Sequence, residues 1–76
     1  MMNGQLANEV AASFAERLAR EAGSDRRQIV ERAYQLALGR GPNADERRFS
    51  LGFLEAQPLR EFALALFNLN AFLHAP

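Results

Sequence analysis

His74 is the only histidine of this 76-residue chain, and it lies two residues from the end. In the right company a histidine is a general base or a metal ligand, and that company would be a second histidine, a cysteine or a carboxylate pair. None of these accompanies His74, so it reads as a structural or solvent-facing residue. The hydroxyl side chains are Ser13, Ser24, Ser50 and Tyr34. No serine stands in a nucleophile-elbow context, and no His–Asp pair is placed to activate one. Gly39-Arg40-Gly41 precedes a helix start, as phosphate-cradling loops do. A phosphate loop also wants a preceding strand and usually a lysine. The segment has neither, and the whole chain contains no lysine. The expected catalytic, cofactor-binding and metal-binding residues are therefore none, and the chain is read as a non-enzyme.

Arginine is the remaining functional type. Arg26, Arg27, Arg32, Arg40, Arg47 and Arg48 fall across a helix–turn–helix and would suit nucleic-acid phosphates. Against that stand Asp45 and Glu46, at the helix end where phosphates would lie. The net charge is also zero, with nine basic and nine acidic residues. No nucleic-acid partner is expected, and a solvated face is the simpler reading. Arg40 is expected to bond helix-end carbonyls or Glu46. Asn68 and Asn70 sit in the most apolar part of the chain, where a buried amide needs a partner. One of them is expected to bond a backbone group and fix how its helix docks; ligand binding is the alternative.

The elements that carry these residues are four predicted helices, at about 5–22, 25–38, 43–56 and 58–73. Leu6, Val10, Phe14 and Leu18 repeat every four residues on the first, with small alanines beside them that let a neighbour approach. Arg17 and Glu21, and Glu16 and Arg20, are spaced for surface pairs of about 0.2–0.5 kcal/mol each. Gly23 suits a helix C-terminus because it takes positive φ without a Cβ clash. Ser24 or Asp25 starts the second helix, with Asp25 and Gln28 at capping-box spacing. That helix carries a wide apolar face, Ile29, Val30, Ala33, Leu36, Ala37 and Leu38, with Tyr34 beside it.

Gly39 and Pro42 break the chain. Asn43 caps the third helix, with Glu46 at the position that reaches back to the cap amide. Gly52 inside this helix predicts a close helix contact, since glycine there costs up to about 1 kcal/mol relative to alanine. Pro58 suits the first turn of the fourth helix. That helix is apolar almost all round and is expected to be the most buried. Phe49, Phe53, Phe62, Phe67 and Phe72, with Tyr34, are expected in the core.

The chain is thus expected to be one all-α domain over 1–76, a compact bundle of four helices with loops near 23–25, 39–43 and 56–58. It has no cysteine with which to brace itself. No apolar run is long enough to span a bilayer, so no membrane insertion is expected. The N-terminus lacks the basic-then-apolar pattern of a signal peptide.

One set of motifs is familiar. Leu38, Gly39, Arg40, Pro42 and Glu46, followed by Leu66, Phe67, Asn68, Asn70 and Phe72, resemble the C-terminal end of a domain of unknown function. That domain occurs in large planctomycete and related bacterial proteins, often with a cytochrome-c-like domain. The resemblance covers nearly the whole chain. It implies a C-terminal fragment of a larger, exported bacterial protein, and it implies no activity. No Cys-x-x-Cys-His haem motif is present. The function expected is a non-catalytic structural or protein-interaction module that docks on the rest of its parent chain or on another protein. The alternatives are a nucleic-acid-binding helix–turn–helix-like module and a small-ligand-binding bundle using Asn68, Asn70 and the phenylalanines. An exposed apolar patch on the first helix is expected as the docking face.

Overall fold

The structure is a computed structural model that describes the backbone of residues 4–73 and the side chains of residues 6–68. Four helices follow one another: α1 (Gly4–Ala22), α2 (Arg26–Leu38), α3 (Ala44–Ala56) and α4 (Leu59–Leu73). The all-α, four-helix architecture expected from the sequence is what the chain adopts. Each boundary has a local cause. Gly23 and Gly39 both take φ of 72°, a left-handed conformation that closes α1 and α2. At each, the glycine amide donates back to a carbonyl four residues earlier. Asp25 caps α2 through the amide of Arg27 rather than in a box with Gln28. Pro58 stands one residue before α4, and its carbonyl accepts from the amides of Glu61 and Phe62.

α2 and α4 are the central pair. Each touches all three other helices, whereas α1 and α3 flank them without meeting. The most extensive contact runs between α1 and α4. The buried face of α1 is Ala7, Ala11 and Leu18 rather than the larger residues at its start; Leu6 is 47% exposed. The small alanines let the α4 backbone come close, so the Leu6–Leu18 stripe is shared between core and surface. Phe14 is half-buried and stacks against Phe67 of α4, ring centroids 4.9 Å apart.

Among the described side chains, the main core cluster draws on α2, α1 and α4. Ile29, Val30, Ala33 and Tyr34 join Leu18 of α1 and Phe62 and Leu66 of α4 in one cluster. α4 buries Phe62, Ala63 and Leu66 but leaves Arg60, Ala65 and Asn68 exposed. α3 is the least embedded helix: its one buried residue is Ser50. Phe49, expected in the core, is 71% exposed. Gly52 is exposed too, and a Cβ added there would meet nothing within 4 Å, so no helix crossing explains it.

Candidate functional site

The site builds outward from the corner between α2 and α3. Asn43 Oδ1 accepts from the amide of Glu46 at 2.8 Å, and Glu46 Oε1 accepts from the amide of Asn43 at 2.9 Å, which completes the expected capping box. Arg40 answers its open question here. Its two terminal nitrogens donate to the two oxygens of Glu46 at 2.7 and 2.9 Å, and one also reaches the Gly41 carbonyl at 3.0 Å. A bidentate guanidinium–carboxylate pair on a capping residue holds both the loop and the helix start. The Arg40 guanidinium, followed by the Asn43 amide, holds the Glu46 carboxyl down at about 2. Pro42 is buried beneath this corner. Arg47 ties the same corner to α2, donating to Glu31 at 2.9 Å and to the Pro42 carbonyl at 3.3 Å.

Next to the corner, α3 meets the central pair over an open apolar groove of about 270 Å3. Its lining is Phe49, Ser50 and Phe53 from α3, Phe62, Ala65 and Leu66 from α4, and Tyr34 from α2, with Asp45 and Glu46 at the helix start. Tyr34 and Ser50 are the polar groups at its depth, 3% and 1% exposed, and their hydroxyls lie 3.1 Å apart. The phenylalanines run in series. Phe53 lies 6.3 Å from Phe49 and 6.1 Å from Phe62, centroid to centroid and tilted, an attractive spacing for aromatic pairs. Phe62 is buried, Phe53 half-buried and Phe49 exposed, so the ring series climbs from core to surface.

The other residues singled out from the sequence fall elsewhere. Gly39, Arg40, Pro42, Asn43 and Glu46 converge on the corner. Asn68 is exposed on α4, so it is not the buried docking amide expected. The side chains of Asn70, Phe72 and His74 lie outside the described residues. The arginines do not form a free basic patch. Arg32 pairs with Glu21, Arg40 with Glu46, Arg47 with Glu31 and Arg48 with Asp45. The expected Arg17–Glu21 pair forms at 2.7 Å, and Glu21 also takes Arg32, which staples α1 to α2. These two arginines, Arg17 first, lower the carboxyl of Glu21. Among the described residues no group of three His, Cys, Asp or Glu side chains could hold a metal ion, and no helix is long and apolar enough to cross a membrane.

The sequence placed Tyr34, Phe49, Phe53 and Phe62 in the core, with a ligand pocket lined by the phenylalanines as the alternative; the groove brings these four together. The phenylalanine spacing showed that Phe49 and Phe53 share a face, but core and groove demand the same pattern. The one available signal was Ser50, a hydroxyl at a position flanked by apolar neighbours on that face. No protein-family model, no curated protein and no solved structure matches the chain.

Proposed function

We propose that this chain is a non-catalytic protein-interaction module and that it docks through the groove between α3 and α4. One observation carries the reading: Phe49, a large aromatic residue, stands 71% exposed at the mouth of an apolar groove. Apolar surface gathered into a concave patch is favourable to cover, and such patches mark interaction sites more often than scattered apolar residues do. The groove lies between α3 and α4, while the exposed Leu6 lies on α1, the helix on which the sequence reading expected the docking patch. Among the described residues the groove's ionisable groups besides Tyr34 are Asp45 and Glu46. Glu46 is committed to the corner, so the groove offers no paired acid and base for catalysis. The resemblance of the Leu38–Glu46 and Leu66–Phe72 motifs to the end of a domain of large bacterial proteins supports the same reading, with the module as one part of a longer chain.

The nucleic-acid alternative is disfavoured because four of its six arginines are paired with carboxylates. A phosphate would have to displace those pairs, and Asp45 and Glu46 would repel it. The small-ligand alternative loses Asn68, which lies on the outer surface.

The test is photo-crosslinking. A benzoylphenylalanine placed at Phe49 in the whole chain should give one saturable adduct with a protein of the source cell. Excess unlabelled protein should compete for it, and the Phe49→Ser variant should not. The same group at exposed Ala19 should give no such adduct. Equal labelling from both positions, or turnover of substrate by the purified chain, would sink the reading.

A further inference from the structure

The hydroxyls of Tyr34 and Ser50 pose a donor problem. Each carries one O–H, so the pair has two hydrogens to donate. The contact between them uses one. No acceptor among the described residues takes the other, although both side chains are more than nine-tenths buried and line the groove. A buried O–H without a partner is costly, so whatever fills the groove is favoured if it brings an acceptor to its depth. The walls above are phenylalanine and leucine, which favour an aromatic ring. An enclosed apolar cavity of about 150 Å3 already takes up benzene, so about 270 Å3 is ample for one aromatic side chain.

Charge adds a third constraint. The charged residues lining the groove, among the described residues, are both acidic. Glu46 is bound by Arg40 and the Asn43 amide. Asp45 has only Arg48, one turn along the same helix, in a pair whose side chains are 90% and 78% exposed. Such a pair is worth little and yields readily to another cation. Arg48 itself lines a separate depression with Arg26, Leu51, Gly52 and Glu55. The groove rim therefore favours a basic group and disfavours an acidic one.

The described residues contain no strand, so there is no sheet edge on which an extended peptide could pair. A helix satisfies its own backbone and needs only side-chain anchors to lie between two others. Resting on the interaction-module reading, we propose that the groove receives a tyrosine from an amphipathic helix of a partner protein. The ring lies among Phe49, Phe53 and Phe62, and its hydroxyl oxygen accepts from the Tyr34–Ser50 pair. A lysine or arginine one turn along that helix meets Asp45.

A displayed library of helical scaffolds, randomised on one face and selected against the whole 76-residue chain, tests this. The selected helices should carry a tyrosine with a basic residue three or four positions away. Phe49→Ser should weaken their binding tenfold or more, as truncating a central aromatic residue does. Selection against the Tyr34→Phe/Ser50→Ala variant should replace tyrosine by phenylalanine or leucine. Asp45→Lys should exchange the basic residue for an acidic one. The proposal is overturned if tyrosine is selected equally against the variant, if the selected helices are acidic, or if none binds in a way that depends on Phe49. It is also overturned if the chain self-associates and Phe49→Ser abolishes that, because the occupant is then a second copy. A Phe49 cross-link to a partner alongside any of the first three results would leave the interaction-module reading standing and remove only the tyrosine helix.

Discussion

Glu46 carries more of this structure than any other single polar residue. It caps α3, receives Arg40 in a bidentate pair and sits at the edge of the groove. Its folded pKa is depressed to about 2 from an ordinary 4.5, so its contribution is fully present above the unfolded value and is lost as pH falls toward 2. Glu46→Gln should therefore lower stability at pH 7 by roughly 0.5–1 kcal/mol, the range of a well-formed surface pair. Urea denaturation should show the two proteins converging below about pH 2. A constant difference across that range would mean the charge is not what matters. Glu21 is shifted in the same direction by Arg17 and Arg32 and adds to the acid sensitivity of both proteins alike. The Tyr34–Ser50 contact is the second residue-scale device. Tyr34→Phe leaves a buried Ser50 hydroxyl alone and should cost about 1 kcal/mol, whereas the double variant Tyr34→Phe/Ser50→Ala should recover part of that. Thermal denaturation of these two variants together with Ser50→Ala closes the cycle.

At the scale of the helix, α3 differs from its neighbours in how it is held. It buries one serine and is otherwise attached by half-buried Leu51, Phe53 and Leu54, by the Arg40–Glu46 corner and by Arg47 to Glu31. Its local openings should therefore be easier than those of α2, and amide exchange should find α3 the less protected of the two. Gly52 belongs to this picture. With open space where its Cβ would stand, Gly52→Ala should stabilise the protein by up to about 1 kcal/mol, read as a higher urea midpoint at unchanged slope. A loss of stability would mean that the glycine serves a contact after all. Phe49→Ser, at a surface position, should leave stability within about 0.5 kcal/mol of the parent, which is what makes it a clean probe of the groove.

Much of this element-scale structure was legible in the chain. Gly23, Gly39 and the Asn43–Glu46 spacing marked helix ends to within a residue or so, because caps are made by residues a few positions apart. The groove was legible only as the alternative to a closed core. Phe49 and Phe62 obey the same periodicity, and only the placement of α1, on the far side of the α2–α4 pair, leaves one covered and the other bare.

The whole molecule is a small bundle in which two central helices are flanked by two that never meet. With its core confined to one cluster, its stability margin should be narrow. Leu18→Ala, at a fully buried position, should cost about 2–5 kcal/mol, enough to bring the chain near its unfolding midpoint at room temperature; circular dichroism against temperature would show it. The charge pattern also acts at this scale. Five ion pairs among the described residues tie arginines to carboxylates over a chain of zero net charge. Duplex DNA should accordingly show no salt-dependent affinity between 50 and 200 mM salt, a range over which a protein making several phosphate contacts changes by orders of magnitude.

By itself the sequence determined the helices, their ends and the corner that joins α2 to α3. Those rest on backbone geometry and hydrogen bonds between near neighbours, which residue types specify directly. Only the tertiary structure decided that Phe49 stays exposed and that Asn68 faces outward. It also decided that Tyr34 meets Ser50 and that α3 and α4 leave an aromatic groove open. Burial is a property of what arrives from elsewhere in the chain. Here α1 covers one side of the central pair, and nothing in the described structure covers the groove on the other.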